Sequence, residues 1–103
     1  MNSKQRFSVE YCITRTPESG GGAEIVGRVK MSDPAGLLAV ASLEVDGIEL
    51  LPSAKLLFSA AADELKLPPV RVYRPLPGRD YFFRLVLRTA AGAETVETVL
   101  TLA

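Results

Sequence analysis

Along most of this chain apolar and polar residues alternate, and alternation with a period of two marks half-buried β-strands. Phe7, Val9, Tyr11 and Ile13 are separated by Ser8, Glu10, Cys12 and Thr14, so a strand turns the first set inward and leaves Cys12 on the polar side. Ala23, Ile25, Gly27, Val29 and Met31 form a second such face, with Glu24, Arg28 and Lys30 opposite. Leu37 to Val45 reads as a mostly apolar strand. The sharpest alternation comes late, with Tyr81, Phe83, Leu85 and Leu87 on one side and Arg84 and Arg88 on the other. A last strand then carries Val96, Leu100 and Leu102 inward.

Turn residues separate these runs. Pro17 to Gly22, with three consecutive glycines, breaks the first strand into a mobile loop. In Ser32-Asp33-Pro34-Ala35-Gly36 the proline sets φ and the glycine admits positive φ. Asp46-Gly47 predicts a two-residue hairpin turn that pairs Val45 with Ile48 and Leu43 with Leu50 on one face, and opposes Glu44 to Glu49. Leu76-Pro77-Gly78-Arg79 fits a type II turn. A four-residue loop over Ala90-Ala91-Gly92-Ala93 pairs Leu87 with Val96 and sets Glu97 diagonal to Arg84 or Arg88.

Ser53 to Leu67 is the ambiguous stretch, with good helix formers and a cap candidate at Ser53. Its apolar residues do not settle onto one stripe, however. The pattern favours a strand at 55–60, a turn through Ala61–Glu64 and a short extended piece at Leu65–Leu67. Pro68-Pro69 confines that piece to a sheet edge or a crossing between sheets, because proline cannot donate to a ladder. Val70 to Arg74 is extended again. Seven to eight short strands without a βαβ rhythm predict an all-β, single-domain, antiparallel two-sheet sandwich of immunoglobulin-like form over residues 1–103, with 1–6 a frayed N-terminus.

Composition narrows the function. Twelve basic and twelve acidic residues give zero net charge, which argues against a general nucleic-acid binder. No apolar run approaches membrane-spanning length. Met1 to Arg6 leads straight into a strand pattern with no apolar region behind it, as expected for a cytoplasmic protein or a mature exported form. Histidine is absent and Cys12 is the only cysteine, so no intramolecular disulfide forms and a zinc site would have to be almost all carboxylate.

The same absences bear on catalysis, since a nucleophile normally needs a base beside it. No histidine serves a serine or Cys12, and no spacing points to a Ser–Lys pair. Cys12 reads as a small strand residue. Glu44, Asp46 and Glu49 lack the alternating ligand pattern of a calcium loop and read as a solvated hairpin tip. Gly20-Gly21-Gly22 precedes neither Gly-Lys-Ser/Thr nor a helix, so it does not cradle phosphate. The expectation is a non-enzymatic protein with no cofactor and no metal.

Charge distribution supplies one local feature. Between Arg71 and Arg88 lie five arginines against Asp80 alone. Arg71, Arg84 and Arg88 fall on outward strand positions, Arg74 and Arg79 flank the intervening turn, and Tyr73 and Phe82 lie among them. Arginine with exposed aromatic residues is a protein-binding composition. The plainer reading is a charged sheet face, partly neutralised by Glu97.

Two resemblances follow. Tyr81-Phe82-Phe83-Arg84-Leu85-Val86-Leu87 with Ala91-Gly92 resembles the penultimate strand and turn of immunoglobulin-like and fibronectin type III-like domains. More narrowly, Leu57-Phe58-Ser59-Ala60-Ala61, Leu65-Lys66-Leu67, Val70-Arg71-Val72, Pro77-Gly78-Arg79-Asp80-Tyr81 and Leu85-Val86-Leu87 resemble the small periplasmic curli-assembly chaperones (CsgC/CsgH type). Ile25-Val26-Gly27-Arg28-Val29, Asp33 and Gly36 are compatible with them. That family's paired-cysteine motif has no counterpart here, so its redox activity does not carry over. The resemblance implies a sandwich that limits amyloid formation by transient contact with strand-prone clients, through sheet edges and the Arg71–Arg88 surface, in the periplasm. The rival expectation is a structural component of a larger assembly, such as a phage capsid decoration or tail protein, with cytoplasmic synthesis or a place in the virion.

Overall fold

The computed structural model describes residues 6–16, 21–32 and 36–102. Eight strands run in chain order: β1 (Phe7–Thr16), β2 (Gly22–Met31), β3 (Leu37–Val45), β4 (Ile48–Phe58), β5 (Glu64–Lys66), β6 (Val70–Tyr73), β7 (Asp80–Thr89) and β8 (Gly92–Thr101). They form two antiparallel sheets. Sheet I places β2 between β1 and an edge shared by β5 and β6, and sheet II runs β4-β3-β7-β8. The sheets meet along β1 with β8 on one side and along β4 with β5 and β6 on the other.

The alternation read from the sequence is the alternation of burial. On β2 Ala23, Ile25, Gly27, Val29 and Met31 are all buried, as are Tyr81, Phe83, Leu85 and Leu87 on β7. The larger side chains among them, from Ile25, Val29 and Met31 to Phe83, Leu85 and Leu87, contribute about 1.5–3 kcal/mol each when fully buried, and these rows face one another across the sandwich. Phe7 of β1 meets Phe58 of β4 at 5.7 Å between ring centroids, and Tyr11 meets Phe83 at 4.9 Å. Gly27 is small for a packing reason. A Cβ there would stand 3.0 Å from Leu67 Cδ1 and 3.2 Å from Tyr11 Cε1.

Between Ser53 and Leu67 the strand reading holds against the helix. β4 is longer than expected and runs unbroken to Phe58, so Ser53 is an exposed strand residue and caps nothing. The turn is tighter than 61–64: Ser59 and Ala62 exchange backbone hydrogen bonds around Ala60-Ala61, and β5 opens at Glu64. Pro68-Pro69 links β5 to β6 along one edge of sheet I. β6 ends at Tyr73, because Arg74 turns to φ +52° and leaves the extended region. Asp33-Pro34-Ala35 and Pro17 to Gly20 lie outside the described residues, while Gly36 takes φ +64° as its turn requires and Gly22 already belongs to β2.

Two hairpin registers differ from expectation. At Asp46-Gly47 both residues take positive φ, and Val45 pairs Ile48 while Glu44 pairs Glu49. Leu43, however, pairs Leu51 and not Leu50, because Leu50 is an extra residue on β4, and a second irregularity follows at Pro52-Ser53 before Ala54 pairs Ala41. Proline has no N–H for the ladder, and a bulge on this edge strand absorbs it. Ile48, paired with Val45 at the hairpin tip, is nevertheless 65% exposed.

In the last hairpin Thr89 pairs Gly92, so the loop is Ala90-Ala91 alone and Val96 opposes Leu85 while Glu94 opposes Leu87. Thr89 Oγ1 tightens this turn, accepting from Ala91 N–H at 3.2 Å and donating to the Gly92 carbonyl at 3.2 Å, and Gly92 at φ +130° restarts the strand at once. The shift of two residues preserves the inward face and places Arg84 directly opposite Glu97. It also turns Glu94 toward β1, where its carboxylate accepts the N–H groups of Arg6 at 3.1 Å and Phe7 at 2.9 Å. Arg6 is thereby anchored at the sandwich seam, whereas residues 1–5 lie outside the described ones.

Candidate functional site

The seven arginine-rich positions do not form one surface. Phe82, Arg84 and Arg88 alternate with buried residues on β7 and point out from sheet II. Arg71 and Tyr73 alternate with Val70 and Val72 on β6 and point out from sheet I, on the other side of the molecule. Arg74 and Arg79 stand at the β6–β7 connection. What the fold brings together is Arg71, Tyr73, Arg74 and Arg79, on the rim of an open groove of about 680 Å³ between the β4 and β6 edges.

Hairpin geometry builds the groove. The β3–β4 hairpin contributes Ile48 from its tip and Leu50 from its irregular stretch, and Val72 and Leu76 complete the apolar lining from β6 and the following turn. Leu76 is 55% exposed and Tyr73 is 73% exposed, so apolar surface lies open beside the cations. Hydrogen bonds brace the connection itself. Leu76 N–H donates to Tyr81 Oη at 2.8 Å, Arg79 N–H reaches back to the Leu76 carbonyl at 3.3 Å, and Gly78 supplies φ +72°.

Charges along the rim are unequally engaged. Arg79 Nη2 donates to Asp46 Oδ2 at 2.9 Å, and its guanidinium lies over the Tyr81 ring at 4.6 Å. Asp46 Oδ1 also accepts Phe82 N–H at 3.0 Å, which locks hairpin tip to β7. Arg71 faces Glu24 across the β2–β6 ladder at 3.7 Å, a half-exposed pair of little energetic weight. Arg74 donates its backbone N–H to the Gly21 carbonyl at 3.3 Å, and no carboxylate of the described residues lies within ion-pair distance of its guanidinium. The lining thus offers cationic hydrogen-bond donors and apolar contact.

Ile48, Leu50, Leu76 and Asp46 were not legible as site residues. Ile48 reads as core by alternation with Val45, yet at the hairpin tip it is exposed. Across the molecule a second depression of about 510 Å³ lies between β1 and β8, lined in part by Val9, Tyr11 and Leu100. Tyr11 Oη is buried without a hydrogen-bond partner, and burial pushes the phenol above its ordinary pKa of 10.0. Comparison of the chain with family models, with curated proteins and with solved structures finds no match.

Proposed function

We propose that this protein is a non-catalytic protein-interaction module of immunoglobulin-like form, acting as a fibre-assembly chaperone that transiently engages strand-prone clients. The observation that carries the reading is the state of the sheet edges. β1 and β8, each ten residues long, border the sandwich on one side, and β4 and β6 on the other. An uncovered edge presents unpaired N–H and C=O groups, the template by which an extended segment adds to a sheet. The order β4-β3-β7-β8 against β1-β2-β5/β6 supports the immunoglobulin-like comparison, as does the bond from Leu76 to Tyr81 at the start of β7, which resembles a tyrosine corner. The similarity to curli-assembly chaperones supplies the class of client and, with it, a periplasmic location.

The test is fibril formation by an amyloid-forming subunit with this protein at substoichiometric ratio. A lengthened lag is expected; an unchanged lag removes the reading.

A second reading, a structural component of a larger assembly such as a virion, is favoured by the outer face of sheet II. Leu38 and Leu57 at one end and Phe82 and Val99 at the other are all about half exposed or more. Stable oligomers in solution, or co-purification with particles, would favour it; a strict monomer counts against it.

A further inference from the structure

We infer that the groove between β4 and β6 takes an extended segment of a client polypeptide, added as a strand to the free edge of β6, with apolar and acidic side chains in alternation. The inference rests on the chaperone reading and gives it a site and a client chemistry. β6 pairs with β2 through Gly22↔Tyr73, Ala23↔Val72, Glu24↔Arg71 and Ile25↔Val70, so its opposite edge is open for a further strand. Successive residues of an added strand point to opposite faces. Those turned inward enter the groove against Val72, Ile48 and Leu76; those turned outward lie beside Arg71, Tyr73 and Arg74.

Charge complementarity selects the occupant. The outward side of this edge carries Arg71 and Arg74, while Lys66 and Glu64 offset one another further along on β5, and among the described residues Arg71 has an acid partner and the Arg74 guanidinium has none. A basic outward residue on the incoming strand would meet like charge, and an acidic one finds the unengaged guanidinium of Arg74. Pro68-Pro69 bounds the edge on one side and the φ +52° turn at Arg74 on the other, so the accepted segment is short, about the length of β6 itself.

The probes are short fluorescent peptides followed by anisotropy: alternating Val/Glu, alternating Val/Lys, and Val/Glu with alternate backbone amides N-methylated. Only the first is expected to bind the full chain, weakly, and severalfold more weakly when salt is raised from low to high. N-methylation removes the ladder donors without touching the protein, so equal binding by that peptide overturns the inference, as does equal binding by Val/Lys. The double variant Ile48→Ser/Arg74→Gln is expected to lose about fivefold or more in affinity. Arg88→Gln, on the far face, should lose nothing, and reversal of that order overturns the site. Concentration-dependent dimers abolished by the double variant would make the occupant a second copy and overturn the client assignment. If the double variant still delays fibrils with full potency, the groove is wrong and the chaperone reading stands. If the unaltered chain fails to delay them, that reading falls while peptide binding still decides the groove.

Discussion

Tyr11 shows how one atom can set a pH limit on this fold. Its ring packs on Phe83 and over Gly27, but its hydroxyl is buried and unpartnered, which costs about 1–3 kcal/mol relative to a satisfied one. The phenol's pKa is raised in the folded state, so folded and unfolded chains hold the proton alike below the unfolded value near 10. Above it the unfolded chain releases a proton that the folded one retains, and stability falls as pH climbs. Tyr11→Phe is therefore expected to equal or exceed the parent by up to about 1 kcal/mol at neutral pH. It should also lose less stability than the parent between pH 9 and 11.5. Urea midpoints across that range decide the matter: a Phe variant clearly weaker at pH 7 would show that the hydroxyl finds a partner.

Individual elements are held by a few polar contacts laid over the apolar rows. Glu94 is the clearest, a carboxylate on β8 that receives the backbone N–H groups of Arg6 and Phe7 at the start of β1 from across the seam, while the Arg6 guanidinium approaches at 3.7 Å. Hydrogen bonds to a charged group contribute about 1.5–3 kcal/mol, and Glu94→Ala is expected to cost that much and to loosen the start of β1. Hydrogen exchange should then accelerate at Phe7 before it does at Leu85; uniform acceleration would mean the contact stabilises the whole fold and not one seam. Strands and inward faces were legible in the sequence because alternation is a local signal carried by many residues at once, as on β2 and β7. Register was not, since it turned on single residues. Thr89 Oγ1 braces the two-residue loop Ala90-Ala91, and the extra residue Leu50 shifts Leu43 onto Leu51. The site suffered most at Ile48, which pairs with buried Val45 as alternation predicts and is exposed all the same. The arginines were visible, but their division between two outer faces depends on which sheet receives β6, and that is a property of the pairing with β2.

On the scale of the whole molecule the two outer faces differ in kind. Apart from Tyr73, sheet I is polar outside, with Arg28 near Glu10 and Arg71 near Glu24, whereas sheet II exposes Leu38, Leu57, Phe82 and Val99. If the edges act on clients, Phe82→Ser/Val99→Ser should leave the fibril lag unchanged and stability within about 0.5 kcal/mol for each exposed site. A lost effect on the lag would move recognition to the sheet II face and, with an oligomer in the parent, favour the assembly reading. Cys12, exposed on β1, is separated from β6 by β2 alone, roughly 10 Å at two inter-strand spacings. The molecule therefore carries a single built-in attachment point for a maleimide dye, close enough to sense a guest arriving at the opposite border and too far aside to obstruct it.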